Sequence, residues 1–139
     1  IAAVRLYRLA ADQGNATGQT NLGAMYDNGL GGLPRNPIEA VRLYRLAADQ
    51  GHSLGQANLG SMYLTGEGGV QKDEREAVRL YRLSANAGHR VGQYNLGRAY
   101  LGGWGGLTAD RAVAMEWFER SAAQQYQLAQ QELSRLRAP

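Results

Sequence analysis

A twelve-residue string occurs twice in this chain, and no other feature limits its fold as much. Ala3 to Gly14 reads AVRLYRLAADQG, and Ala40 to Gly51 repeats it letter for letter. Ala77 to Gly88 reads AVRLYRLSANAG, so the offset is 37 residues both times. A second block keeps the phase: Gln19-Thr20-Asn21-Leu22-Gly23, Gln56-Ala57-Asn58-Leu59-Gly60 and Gln93-Tyr94-Asn95-Leu96-Gly97, with Tyr26, Tyr63 and Tyr100 after them. A weaker copy follows, in which Ala114 stands for Ala77, Phe118 for Tyr81 and Leu133 for Leu96. A fixed period of this length means that each unit is one supersecondary piece, which buries its apolar face only against its neighbours.

Both blocks carry helical spacing. Ala40, Leu43, Tyr44, Ala47 and Ala48 lie at i, i+3, i+4, i+7 and i+8, one face of a helix. Asn36 suits its N-cap, Pro37 its first position, and Glu39 would complete a capping box; Asp73 with Glu76, and Asp110, stand in phase. Gly51 and Gly88 end these helices where a left-handed residue is wanted. The second block puts Gly55, Leu59, Met62 and Tyr63 on one face, with Ser53 and Gln56 expected to cap it after a His52-Ser53 turn. Glycines at 18, 55 and 92, and at 23, 60 and 97, fall inside helices. Each costs about 1 kcal/mol relative to alanine, so six repeated exceptions predict close helix contacts. The expected fold is all-α: an α-solenoid of helix-turn-helix units.

The phase divides one domain as follows. Residues 1–13 are the second helix of an incomplete repeat, residues 14–50, 51–87 and 88–124 are full repeats, and residues 125–139 are a polar capping helix. Ile1 matches Ile38, so the chain opens inside a helix, as a fragment or a degraded end of a longer array would.

Composition excludes several function classes. There is no cysteine, which removes disulfides and thiolate metal sites. Apolar runs are far shorter than the ~20 residues of a membrane span. The net charge of +3 is too small to argue for nucleic acid by itself. His52 and His89, the only histidines, lack further ligands in phase and a nucleophile beside them, so they read as turn or capping residues. The glycine-rich loops NGLGGLP, TGEGGV and GGWGGL lack a phosphate-loop Gly-Lys-Ser/Thr and read as turns. No cofactor and no metal is expected. Compartment is not legible; a bacterial cytoplasm or periplasm both fit.

Leu59, Gly60, Tyr63, Gly66, Gly68, Val70, Asp73, Ala77, Tyr81, Ala85 and Gly88 follow the pattern of the Sel-one-like repeat, a relative of the tetratricopeptide repeat, and the chain resembles that family over nearly its whole length. It departs at Gly55, where Ala is usual, and at Leu80, where Trp is usual, although Trp117 restores the Trp in the last copy. The resemblance implies a right-handed superhelix, with the Leu-Gly-Tyr helix (helix A) on the concave side and the AVRLYRL helix (helix B) outside. It also implies a scaffold or adaptor, often bacterial.

On that reading helix A opens its face through Thr20, Asn21 and Ala24, then Ala57, Asn58 and Ser61, then Tyr94, Asn95 and Arg98. A carboxamide donates and accepts, so Asn21, Asn58 and Asn95 form a ladder suited to the backbone of an extended peptide; bridging between hairpins is the structural alternative. Tyr94 and Arg98, one turn apart, suit an acidic or aromatic partner segment. The expected function is therefore a protein-interaction module, not an enzyme, with another protein or peptide as partner. Nucleic acid is the alternative, through helix-B stripes of Arg5, Arg42 and Arg79 and of Arg8, Arg45 and Arg82. Against it stand the i,i+4 pairs Arg8–Asp12 and Arg45–Asp49, which predict an ordinary solvated face. Hydrolase activity, ascribed to some relatives of the family, finds no nucleophile–base pair here. Trp117 is expected in the core, and Trp104 either exposed as an anchor or tucked against the next repeat.

Overall fold

The computed structural model describes residues 2–139; Ile1, the helix-opening residue of the sequence reading, lies outside them. The described residues form eight α-helices and no strand. In chain order these are α1 (Ala2–Asp12), α2 (Ala16–Asn28), α3 (Pro37–Asp49), α4 (Ser53–Thr65), α5 (Glu74–Asn86), α6 (Arg90–Gly102), α7 (Arg111–Ala122) and α8 (Gln127–Arg137), with one 3-10 turn at Trp104–Gly106. Each helix packs mainly on the next, and α2, α4 and α6 also touch in sequence. Helices α2, α4, α6 and α8 thus form the inner row, and α1, α3, α5 and α7 the outer row of an α-solenoid.

Local chemistry sets the helix ends. The side chains of Asn36, Asp73 and Asp110 accept the N–H of Glu39, Glu76 and Val113, capping α3, α5 and α7. The same three residues donate their own N–H to the carbonyls of Tyr26, Tyr63 and Tyr100, which ties each long loop to the helix before it. The capping box is only half made: the Glu39 and Glu76 carboxylates turn away and bind Arg42 and Arg79 instead. The inner helices start one residue earlier than expected. Their caps are Asn15, His52 and His89, not Ser53, because the Asn15 Oδ1 and the two imidazole Nδ1 atoms accept a backbone N–H of the first turn. Gly14, Gly51 and Gly88 adopt positive φ at the tight turns, and Gln125 holds that conformation in the last copy.

The helical glycines sit where side chains arrive. A Cβ on Gly23, Gly60 or Gly97 would lie 2.8, 3.0 or 2.7 Å from the ring of Tyr44, Tyr81 or Phe118. A Cβ on Gly18, Gly55 or Gly92 would meet Ala10, Ala47 or Ser84 within 2.8 Å. Those three rings are the largest fully buried side chains. They lock the two helices of each repeat together, so the missing methyl group is what lets the aromatic ring approach the neighbouring backbone. Trp117 is only half-buried, with the Arg120 guanidinium 4.4 Å from its ring centre.

Candidate partner-binding groove

Helices α2, α4 and α6 are each packed between two outer helices and against an inner-row neighbour, so only a narrow strip stays open. On α4 it runs Leu54, Asn58, Ser61, Thr65, and on α6 Val91, Arg98, Gly102, with Asn95 buried beneath it. This corrects the wider face read from sequence, because Thr20 and Ala57 are buried at 1% and 0% exposure. Thr20 instead faces the next turn, where its hydroxyl lies 3.0 Å from His52 Nδ1.

The three repeated asparagines differ. Asn21 and Asn58 are half-buried, and among the described residues no hydrogen bond engages either carboxamide. Asn95 is buried and its Oδ1 accepts a hydrogen bond from Arg98 Nη1 at 3.1 Å. The ladder is therefore two open rungs and one that holds an arginine. Ser61 has an internal duty as well: its hydroxyl lies 2.8 Å from that of buried Tyr81. Tyr94, expected open, is half-buried, with its ring tilted against Phe118 and edge-on to Tyr126 at centroid distances of 5.8 and 5.5 Å. That environment is supplied by α7 and by the turn that leads into α8, which a per-residue pattern does not show.

Arg98 is the most elaborated position in the groove. Its guanidinium lies 5.7 Å from the Tyr94 ring centre and 5.1 Å from that of Trp104. Among the described residues no carboxylate comes within ion-pair distance of it. Trp104 reaches this place through its loop: Gly103, Gly105 and Gly106 all take positive φ, and a Cβ on Gly102 would be 2.5 Å from the indole Nε1. The indole therefore lies back over the end of α6, in contact with its own hairpin. A hollow of about 210 Å³ opens beside it, lined by Arg98, Leu101, Gly102, Trp104 and Glu132.

Five of the six outer stripe arginines, all but Arg5, are answered within the protein, though not by the partners expected. Arg42 and Arg79 each grip a glutamate three residues back, through Nε at 2.5 and 2.6 Å. These contacts hold the Glu39 and Glu76 carboxyls below their ordinary range. Arg8, Arg45 and Arg82 do not form the i,i+4 pairs with Asp12 or Asp49. They reach across to the hydroxyls of Tyr26, Tyr63 and Tyr100 at 3.0, 3.1 and 3.0 Å, with their guanidinium groups over the same rings. A tyrosine on the neighbouring helix offers an acceptor and a π face at once, which a solvated aspartate on the same helix does not. In the last copy the corresponding positions hold Glu119 and Arg137, which form an ion pair at 3.3 Å.

The histidines cap helices. His52 Nδ1 accepts the Gly55 N–H at 3.2 Å, so the ring is neutral with its proton on Nε2, and burial lowers its pKa. His89 Nδ1 accepts from the Val91 N–H at 3.1 Å; burial and then the Arg90 charge lower its pKa. No group of three or more potential metal ligands occurs among the described residues. No helix there is long and apolar enough to cross a membrane.

Several known proteins share this arrangement. A Sel1 repeat protein from Oxalobacter formigenes is 40% identical over 96% of this chain and 98% of its own, with a TM-score of 0.75. The protein c5321, a protective antigen of uropathogenic Escherichia coli strains with an SLR fold, is 39% identical. That likeness covers 88% of this chain and 26% of c5321, with a TM-score of 0.77. Helicobacter pylori cysteine rich protein B shares the fold at 21% identity, with a TM-score of 0.69 over 92% of this chain and 90% of its own. No curated protein matches the chain. The Sel1 repeat pattern matches residues 1–15, 16–52, 53–89 and 91–130, and the chain belongs to the Sel1 repeat family.

Proposed function

We propose that this protein is an interaction module that holds an extended segment of another protein along the α2–α4–α6 groove. Sel1 repeat proteins are generally protein–protein interaction modules, on a scaffold that is typically non-catalytic. The observation that carries the groove assignment is the pair of half-buried carboxamides, Asn21 and Asn58, at equivalent positions without a hydrogen-bond partner among the described residues. A carboxamide half removed from water needs a partner for its donors and acceptor, and an extended backbone presents both. Outer-row contact is the less favoured reading, since Arg42 and Arg79 already have carboxylate partners. The mechanism is passive: the stacked helices fix the spacing of the rungs, and the partner is ordered on binding.

The test compares two double variants against peptides selected on the immobilised protein from a displayed library of random 12-residue sequences. Asn21→Ala with Asn58→Ala should weaken binding at least tenfold while leaving the melting temperature nearly unchanged. Arg42→Ala with Arg79→Ala should leave binding intact. The opposite pattern would move the site to the outer row.

A further inference from the structure

The groove is not uniform along its length. At α2 and α4 its open strip carries neutral groups, Asn21, Asn28, Asn58 and Thr65. At α6 it carries Arg98, held from three sides. Asn95 accepts a hydrogen bond from one Nη, and the rings of Tyr94 and Trp104 flank the guanidinium. An arginine on an open strip ordinarily loses side-chain entropy when a partner fixes it. Here much of that loss has already occurred in the free protein, while the remaining N–H groups have no carboxylate among the described residues. The adjacent hollow of about 210 Å³ has Leu101 and the Trp104 indole on its walls, room for one medium-sized apolar side chain.

From these features, and resting on the groove assignment above, we infer that Arg98 receives an aspartate or glutamate side chain of the partner segment, with an apolar neighbour of that residue seated against Leu101 and Trp104. Charge complementarity gives the acid: a planar guanidinium matches a carboxylate with parallel hydrogen bonds, and the flanking rings keep bulk water from its faces. The acid belongs to a side chain within the segment, not to its free end. α6 is the third of four inner helices, and the strip continues onto α8 through Glu132, so the segment runs on past Arg98. Glu132 adds direction. Its Oε2 takes both contacts from Arg135, at 3.1 and 2.6 Å, and its negative charge disfavours a second acid immediately beyond the first.

Peptides selected from the same random library test this directly. The enriched sequences should share one Asp or Glu beside an aromatic or large aliphatic residue. A synthetic peptide of that sequence should lose at least tenfold in affinity on Arg98→Ala, and as much on Arg98→Gln, which keeps most of the side chain and guards against a packing effect. Trp104→Ala should cost more for the peptide with the apolar neighbour than for one with alanine there. Amidating the peptide's C-terminus should change nothing. Enriched sequences without acids, affinity unmoved by Arg98→Gln, or affinity lost on amidation would each overturn the inference. Loss on the Asn21 and Asn58 double variant without loss on Arg98→Gln would overturn this inference and leave the groove standing. No loss on either would remove both.

Discussion

The α6–α7 seam and the α4–α5 seam are built on one plan, and only the first is finished. In both, a glycine of the inner helix receives an aromatic ring of the outer helix, Gly97 under Phe118 and Gly60 under Tyr81. At α6–α7 the Ser121 hydroxyl donates to the Arg90 carbonyl, and Gln124 donates to the buried Gln93 carboxamide oxygen, each at 2.8 Å. The α2–α3 seam makes the second bond too, from Gln50 to Gln19 at 2.8 Å. At α4–α5 neither exists: the Ser84 hydroxyl and the Gln56 Oε1 are buried without a partner among the described residues. For Gln56 the cause is in the sequence, since Ala87 stands where Gln50 and Gln124 stand in the other copies; nothing in the structure explains the unpaired Ser84 hydroxyl. Apolar packing tolerates the two missing polar contacts, so the copies differ at such positions while the ring-on-glycine contact is kept.

The common part of the two seams should break alike. Gly60→Val and Gly97→Val each push a branched Cβ into a ring and the nearby carbonyl of Ala77 or Ala114. We expect each to lower stability by ~3 kcal/mol, read from the urea midpoint. A loss at one position but not the other would mean the seams are not equivalent. The tight turns extend the comparison, because Asn15 caps the first inner helix where His52 caps the second. The folded His52 pKa lies below its ordinary 6.5, so the unfolded chain takes up the proton first. Stability is then complete above that value and falls as pH drops through and below it. His52→Asn keeps the cap, worth about 1 kcal/mol, and should flatten the slope of melting temperature between pH 7 and pH 5. His89 leaves part of the slope in place.

The unfinished part should be repairable. Ala87→Gln gives the Gln56 oxygen the donor its counterparts have and should raise stability by about 1 kcal/mol in urea titrations. An unchanged midpoint in the Ala87→Gln variant would mean that the α4–α5 seam is spaced differently from its neighbours. The smallest effect is expected on the outer row. Arg42→Ala removes an exposed ion pair with Glu39 and should change stability by less than ~0.5 kcal/mol.

Much of this molecule was legible before any coordinates. The 37-residue phase, the two helical faces, the Asn36, Asp73 and Asp110 caps, the positive-φ glycines and the crowded helical glycines follow from local rules acting on a repeated string. These properties depend on a residue and its near neighbours in the chain, so one sequence suffices to specify them. What only the tertiary structure decided are the pairings between helices. It took Arg8, Arg45 and Arg82 to tyrosines instead of aspartates, gave Thr20 and Ala57 to the interior, set Tyr126 against Tyr94, and laid Trp104 back against Arg98. Each of these depends on which of several nearby partners offers the better geometry across a helix seam, and the seam exists only after the repeats have stacked.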